Sequence, residues 1–248
     1  DHINGTLYLA QGEGPHPAVI LLHGFAGYER NFDIAQALRR GGYNVLVFHY
    51  RGSWGSGGVF CFKYVLEDTE TAYHFMRSSE AQTAYRTDPE RVALVGHSMG
   101  GWAALLTAAE LQSVPAVASI AGVNFGVWAD MVADDPAMRG FTERFMEQNL
   151  APLLGANAEM LVDEILEHRA LWNTLHMVDK LAKRPVLLVA GRYDVDVSPH
   201  LFHFPLVEAL EQEGAQQLSH HLLDSDHAFS NRRIALARLL LEWLNQSL

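Results

Sequence analysis

Short apolar runs and longer amphipathic stretches alternate along most of this sequence. Ala18 to Leu22 and Val45 to Phe48 are continuous apolar runs flanked by Gly, Pro or Asn, which is the pattern of buried strands. Between them, residues 32–38 carry apolar side chains at helical spacing, and Gly41 and Gly42 end that stretch. This part of the chain therefore predicts a strand, a helix and a second strand.

The same alternation continues to the end of the sequence. The further predicted elements are a helix over Val65 to Ala84, a strand over Arg91 to Val95, a helix over Gly100 to Leu111, a strand over Ala116 to Ile120, a strand over Val186 to Ala190, a helix near His200 to Glu211, a strand near Gln217 to Leu223 and a helix over Phe229 to Leu244. Strands and helices that alternate in this way form a mostly parallel sheet with helices on both faces. The sequence therefore predicts an α/β fold whose strands share one carboxyl-terminal edge, where ligands bind.

One long stretch, from Val123 to Lys183, interrupts the alternation. It separates two predicted strands by far more than the usual few residues and one helix. The stretch is rich in Trp, Phe and Met, and its apolar residues recur at helical spacing. We therefore expect residues 1–122 and 184–248 to form the core domain, and residues 123–183 to form a helical cap inserted over the sheet edge.

Composition narrows the class of protein and its partners. The 248 residues are 49% apolar and 19% charged, as in an ordinary globular chain. The formal net charge of -11, with 18 Lys and Arg residues in all, argues against a nucleic-acid partner. Apolar runs such as Pro185 to Ala190 are too short to span a membrane, so we expect no membrane span.

The single cysteine, Cys61, bears on the cellular compartment. It has no partner for an intrachain disulfide, which is typical of a reducing environment. No signal-peptide pattern opens the sequence, although Asp1 is not an initiator Met and processing of the N-terminus stays open. We expect a cytoplasmic location, and the sequence does not indicate an oligomeric state.

A Gly-x-Ser-x-Gly motif occurs at residues 96–100 as Gly-His-Ser-Met-Gly. A predicted strand precedes it and a predicted helix follows it, which is the context that this motif requires in hydrolases. Small residues at both ends allow a tight turn that raises the Ser98 hydroxyl above the sheet edge. The motif predicts Ser98 as a nucleophile, and the alternative is a surface serine in a Gly-rich turn.

A serine nucleophile needs a base that takes its proton. Among 13 histidines, His227 follows the last predicted strand directly and precedes the last helix, so that it lies on a loop at the predicted edge. His220 and His221 lie inside that strand, where side chains point to opposite faces, and His97 is better explained by packing. We therefore predict His227 as the base, the alternative being an exposed loop imidazole.

The base in turn needs a carboxylate that orients its ring. Asp194 follows the predicted strand over residues 186–190 and is our first choice. Asp196 is two residues further on and is the alternative, in which case the other carboxylate would only shape the turn. With Asp194 the order along the chain is Ser, Asp, His, as the motif requires.

Two backbone amides are candidates for the oxyanion hole that acyl transfer needs. The Met99 N–H lies at the start of the helix after Ser98, where amides lack partners and the helix dipole favours an anion. The Phe25 N–H follows a strand and Gly24, which permits a sharp turn. His23 is expected to brace that loop.

Other candidate motifs are weaker. The Gly-rich segment at residues 50–58 has neither phosphate-loop nor dinucleotide spacing, so we expect a loop at the pocket rim in which Arg51 is structural. His220 and His221 lack nearby partners at ligand spacing. We therefore expect no cofactor and no metal.

These motifs resemble the α/β-hydrolase superfamily, over nearly the whole chain except the predicted cap. Within it, the sequence is similar to the dienelactone-hydrolase-like and prolyl-oligopeptidase-like esterases. The residues that carry this likeness, besides the serine motif, are Asn4 to Leu9, Gly14 to Val19, His23 and Gly24, Arg51 and Gly52, and Gly55 to Gly57.

The resemblance implies the α/β-hydrolase fold, a triad of Ser98, Asp194 and His227, and an oxyanion hole at Phe25 and Met99. The sequence also departs from these relatives. Ser98 replaces the Cys of dienelactone hydrolases and the Asp of epoxide hydrolases and dehalogenases, which disfavours all three activities. No propeller domain is present, which disfavours oligopeptidase activity.

Together these features favour a hydrolase of small-molecule carboxylic esters that forms an acyl-enzyme. Thioesters and small peptides or amides are alternative substrates, since the same triad attacks any activated acyl group. A small-ligand-binding module without turnover is the alternative from another class. Apolar cap residues are expected to line the pocket, or else to pack the cap onto the core: Phe125, Trp128, Met131, Phe141, Phe145, Met160, Leu161 and Trp172.

Overall fold

A computed structural model describes residues 2–248 and contains one seven-stranded sheet. The strands are β1 (Gly5–Tyr8), β2 (His16–Leu22), β3 (Asn44–Phe48), β4 (Thr87–His97), β5 (Val117–Ile120), β6 (Val186–Gly191) and β7 (Leu218–Leu223). Their order in the sheet is β1-β3-β2-β4-β5-β6-β7. Strand β1 is antiparallel to β3, and the other pairs are parallel. The predicted α/β fold with a mostly parallel sheet is confirmed.

From β2 onward, helices connect consecutive strands. They are α1 (Phe32–Arg40), α2 (Phe62–Arg77), α3 (Ser79–Tyr85), α4 (Met99–Glu110), α5 (Phe125–Asp134), α6 (Pro136–Gln148), α7 (Ala158–Glu167), α8 (Val178–Leu181), α9 (Pro199–Phe202), α10 (Phe204–Gln212) and α11 (Arg233–Ser247). A short 3₁₀ turn, Thr174–Met177, precedes α8.

Alternate residues of the central strands face two separate apolar layers. Val19, Leu21 and Val95 pack with α1 and α11 on one face. Residues between them, such as Ile20 and Leu94, pack with α2, α4 and α10 on the other face. Because both faces of the sheet are covered, the strands appear in the sequence as continuous apolar runs.

Three predicted helices differ from those observed, each for a local reason. The helix over residues 65–84 is two helices, because Ser78 leaves helical geometry and its hydroxyl accepts the Ala81 N–H at 3.2 Å. The helix near residues 200–211 is also two, where Pro205 has no N–H to donate to the preceding turn. The last helix begins at Arg233, because Phe229 has a positive φ of 56°.

Residues 123–183 contain α5 to α8, as the apolar spacing indicates. The connection between α6 and α7 is bonded to the loop after β3: the Leu154 N–H donates to Gly52 O (2.7 Å), and Phe60 N–H donates to Leu154 O (2.9 Å). Trp54 N–H donates to Pro152 O at 3.0 Å. The helices of this stretch therefore have a fixed backbone attachment to the rest of the fold.

Glu164 supplies a second attachment. Its carboxylate, on α7, accepts the backbone N–H groups of Phe62 (2.8 Å) and Lys63 (2.9 Å) at the start of α2. Cys61, the residue before α2, has no side-chain cap bond, so Glu164 takes the role of an N-cap from a distant part of the chain. The division of the chain into a core and a cap is an organisation we propose from these features.

Within residues 2–248, no helix has both the length and the apolar character needed to cross a bilayer.

Candidate active site

Ser98 occupies the tight turn between β4 and α4. Its φ of 57° and ψ of -120° lie outside the common regions for a residue with a side chain. A Cβ atom added at Gly96 would overlap the carbonyl of Gly100, and one added at Gly100 would overlap the carbonyl of Leu22. The turn therefore needs glycine at both positions.

Asp194 and His227 lie on neighbouring loops and are hydrogen-bonded. The distance from His227 Nδ1 to Asp194 Oδ2 is 2.7 Å, and the Asp194 side chain is buried. Gly191 brings the loops together, since an added Cβ there would lie 2.6 Å from Asp226 O. The bond leaves His227 Nε2 as the ring nitrogen available for other chemistry.

The other oxygen of Asp194 is bonded to its own loop. Asp194 Oδ1 accepts the N–H groups of Asp196 (2.9 Å) and Val197 (2.8 Å), which holds the carboxylate in one orientation. Asp196 has no side-chain hydrogen bond to His227 among the bonds of residues 2–248. Of the two carboxylates, Asp194, the first choice from the sequence, is the one that is hydrogen-bonded to the imidazole.

The two candidate oxyanion amides belong to residues beside Ser98. A Cβ atom added at Gly24 would lie 2.9 Å from Ser98 Cβ and 3.4 Å from its Oγ, so the loop that carries Phe25 lies against the serine. Within residues 2–248, neither the Phe25 N–H nor the Met99 N–H donates to a protein acceptor. Both residues line the same cavity as Ser98.

His23 stabilises the loop before Phe25. Its Nδ1 lies 2.8 Å from Gly24 O, and its own carbonyl accepts the Tyr50 hydroxyl at 3.0 Å. Burial lowers the pKa of His23 to about 3, so that the ring is neutral. These contacts agree with the expected bracing role.

His97 contacts the loop of His227. His97 Nε2 lies 2.8 Å from the backbone carbonyl oxygen of His227, and the two rings are 4.7 Å apart between centroids. Burial lowers the pKa of His97 to about 3, which keeps the imidazole neutral, with the Nε2–H as the donor. His97 therefore does more than fill space, since it supports the backbone of the neighbouring histidine.

The neutral form of His97 predicts acid sensitivity. In the unfolded chain this group takes up a proton near pH 6.5, whereas in the folded protein it does so only near pH 3. The unfolded state therefore binds more protons in this window, and the free energy of unfolding falls as the pH is lowered through it. In urea titrations between about pH 4 and pH 6, His97→Gln should reduce that slope by about 1.4 kcal/mol per pH unit. Equal slopes would contradict a neutral buried His97.

A cavity of about 340 Å³ opens over Ser98 and His227. Its wall is mostly apolar, and five of the pocket residues predicted from the sequence line it: Phe125, Trp128, Met131, Phe141 and Phe145.

Three other predicted pocket residues lie outside this cavity. Leu161 is buried in the core between helices, and Met160, its neighbour on α7, is exposed to solvent. Trp172 is buried against Trp102 and stacks on His168, at centroid distances of 5.2 and 4.5 Å. Apolar spacing on a helix does not distinguish the side that faces a cavity from the side that packs on the core.

Several cavity residues were not anticipated. They include Met138 and Met146 from α6, Val195 and Ser198 from the loop after β6, and Leu201 and Phe202 from α9. The last four could have been proposed from the sequence, because they follow Asp194 closely. The presence of the two methionines in the cavity wall depends on how α6 packs, and the local sequence pattern does not reveal that packing.

Ligand atoms of Asp194, Asp196 and His227 lie within 4.8 Å of one another, a spacing that could hold a metal ion. Both oxygens of Asp194 already accept hydrogen bonds, and His227 Nδ1 faces one of them. These bonds account for the arrangement of Asp194 and His227 without a cation.

Arg51 has the structural role expected of it. Its guanidinium bonds to Asp68 (2.6 Å) and Glu67 (2.7 Å) on α2 and lies 3.9 Å from the ring centre of Tyr64. These contacts hold the loop after β3 against α2. Residues 50–58, which we expected at the pocket rim, are not among the residues that line the cavity over Ser98.

Comparison with known proteins identifies the fold. A family model described as "alpha/beta hydrolase fold" matches residues 17–238. The quorum-quenching protein AidA of Acinetobacter baumannii is 30% identical over 161 residues, which cover 62% of this chain and 51% of that protein. The matched part of the chain spans about half or less of the curated relatives.

Solved structures share the fold at low sequence identity. A 2,6-dihydroxy-pseudo-oxynicotine hydrolase matches with a TM-score of 0.71 at 20% identity, over 99% of this chain and 64% of that one. The Est1E protein of Butyrivibrio proteoclasticus, solved with ferulic acid bound, matches with a TM-score of 0.70 at 17% identity, over 99% and 95% of the two chains. At this identity the likeness concerns the fold alone.

Proposed function

The chain belongs to the family with the alpha/beta hydrolase fold, and we propose that it is a serine hydrolase that cleaves carboxylic esters. One observation carries the proposal: the 2.7 Å bond between His227 and Asp194, with His227 and Ser98 lining one cavity. A buried carboxylate on Nδ1 leaves Nε2 free to accept a proton, which is the requirement for a general base.

In the proposed first step, Ser98 Oγ attacks the carbonyl carbon of the ester while His227 Nε2 takes the hydroxyl proton. Asp194 stabilises the imidazolium that forms. The carbonyl oxygen becomes negatively charged, and the Phe25 and Met99 N–H groups donate to it. His227 then returns the proton to the leaving alcohol, and the acyl group stays on Ser98.

In the second step, water loses a proton to His227 Nε2 and attacks the acyl-enzyme. The same two amides stabilise the second oxyanion. As it collapses, the bond from the acyl carbon to Ser98 Oγ breaks and His227 Nε2 returns the proton to that oxygen, which releases the carboxylic acid and restores the Ser98 hydroxyl. Apart from the ester and water, only the chain's own residues enter this scheme.

The cavity supports an apolar acyl or aryl group as the recognised part of the substrate. Aromatic and methionine side chains from α5 and α6 form much of its wall, and its volume of about 340 Å³ suits a small molecule. A small-molecule ester in a cytoplasmic setting is the context we propose, and the negative net charge disfavours nucleic acid as a partner.

Thioesters and small amides would use the same residues, so the bond that is cleaved has to be tested directly. A panel of esters, thioesters and aminoacyl amides with one common acyl group separates these substrates by kcat/KM. The ester proposal requires the highest value for the oxygen ester after correction for the rate of uncatalysed hydrolysis. A higher corrected value for the thioester or the amide would reassign the substrate class.

Covalent labelling tests the hydrolase against a ligand-binding module. A fluorophosphonate probe should label the native protein on Ser98, since the probe reacts with an activated serine. Ser98→Ala should abolish the label, and Ser119→Ala, which removes a buried hydroxyl from β5, should retain it. An unlabelled native protein, or equal labelling of Ser98→Ala, would support the binding module instead.

A further inference from the structure

The cavity above Ser98 has an uneven distribution of charge. Among the described residues that line it, Asp196 alone carries a formal charge when His227 is neutral, and no Lys or Arg is present. The whole chain has a net charge of -11, which adds a negative background potential. A substrate entering the cavity therefore meets one carboxylate and no opposing cation.

The backbone fixes the position of Asp196. Its N–H and that of Val197 both donate to Asp194 Oδ1, so Asp196 follows directly from the loop that orients the imidazole. A carboxylate oxygen of Asp196 lies within 4.8 Å of ligand atoms of both Asp194 and His227. Its charge is thus close to the reacting groups, although the proposed mechanism does not use it.

Among residues 2–248, no side chain forms an ion pair with Asp196. Arg192, the cation closest to it in sequence, is engaged with Asp224 at 2.6 Å. The Asp196 side chain is exposed toward the cavity and solvent, so that its charge acts on whatever occupies the cavity.

We propose that Asp196 selects substrates by charge, favouring neutral and cationic esters over esters with an anionic group. This proposal rests on the proposed esterase function. The Asp196 carboxylate repels an anionic substituent in the mostly apolar cavity, whereas it attracts an ammonium group. Because the effect is electrostatic, it weakens as added salt screens the charge.

Two ester series test the proposal, one for each side of the scissile bond. The first series varies the alcohol and contains the butyrate esters of phenol, meta-hydroxybenzoate and meta-hydroxyphenyl-trimethylammonium. The second series varies the acyl chain and contains p-nitrophenyl hexanoate, the p-nitrophenyl monoester of adipate and p-nitrophenyl hexanoate with a terminal trimethylammonio group. The measured quantity is the kcat/KM of each charged ester relative to the neutral ester of its series. A ratio cancels any change that Asp196→Asn makes to all substrates alike.

In at least one series, Asp196→Asn should raise the kcat/KM of the anionic ester relative to the neutral ester by about tenfold, and it should lower the relative kcat/KM of the cationic ester. This is the effect expected when one charge is removed close to the bound substrate. Asp196→Lys should invert the preference. Asp179→Asn, which removes the same charge from an exposed site on α8 outside the cavity, should leave both ratios unchanged. High salt should shrink the discrimination of the native protein and have little effect on that of Asp196→Asn.

The outcome separates this proposal from the proposed function. Charge selection would be overturned if the protein hydrolyses neutral esters but Asp196→Asn leaves the relative kcat/KM of the charged esters unchanged in both series. The esterase proposal would then still stand. Equal changes in Asp196→Asn and Asp179→Asn would also overturn charge selection, since they would reflect net charge alone. Failure of the native protein to hydrolyse any neutral ester would instead contradict the esterase function itself.

Discussion

Replacing Asp194 with Asn is expected to lower kcat for ester hydrolysis by about 10⁴-fold. The Asn side chain keeps an oxygen for the N–H groups of Asp196 and Val197, so the loop retains its bonds. Its NH₂ group, however, faces His227 Nδ1, where the carboxylate oxygen now lies at 2.7 Å. Nδ1 must then accept a hydrogen bond, which places the ring proton on Nε2 and prevents that atom from taking the serine proton.

Steady-state kinetics with a neutral aryl ester measures this effect. Asp196→Asn is the matched control, because it makes the same chemical change two residues away without touching the bonded imidazole. Its kcat should fall by less than about tenfold, as expected of a group outside the hydrogen-bonded pair. A larger loss in Asp196→Asn than in Asp194→Asn would make Asp196 the orienting acid.

Gly96→Ala is expected to destabilise the protein by at least about 3 kcal/mol, or to prevent folding. The added methyl group would overlap the Gly100 carbonyl and crowd Gly101 N, at a turn packed between β4 and α4. The atoms it meets are backbone atoms, so relief requires movement of the turn itself. Urea unfolding followed by circular dichroism measures the change.

The same substitution at Gly140 provides the control. Gly140 lies within α6, and the nearest atom to an added Cβ there is the end of the Arg144 side chain at 3.4 Å. Gly140→Ala should therefore stabilise the protein by up to about 1 kcal/mol, since alanine favours the helix. A loss of less than about 1 kcal/mol in Gly96→Ala would show that the turn can expand and that position 96 does not require glycine.

The central strands were predictable because burial on both faces leaves a clear trace in the sequence. The runs over residues 18–22 and 186–190 are apolar at every position, and both are strands of the parallel sheet. Strand β1 was not predicted: it is a short antiparallel edge strand that pairs with β3, and half of it is exposed. Its presence depends on pairing between distant parts of the chain.

The candidate site also has parts that the sequence predicts and parts that it does not. Ser98, Asp194 and His227 could be proposed because each directly follows a strand of one sheet, and the chain order of such loops places them at one edge. The sequence favoured Asp194 over Asp196, and the coordinates add that the loop turns the Asp194 carboxylate inward to His227. Coordinates were required for the cavity wall, since only packing determines which sides of α5 and α6 face Ser98.

The attachment of residues 150–155 to the loop after β3 has a consequence for protein engineering and for recombination between relatives. Three backbone bonds join Gly52, Trp54 and Phe60 to that connection, and Glu164 caps α2 from α7. Backbone hydrogen bonds depend on the paths of both segments that they join, and not on the identity of their side chains. A chimaera that exchanges residues 123–183 alone would separate these partners, so the natural unit of exchange also includes residues 51–63.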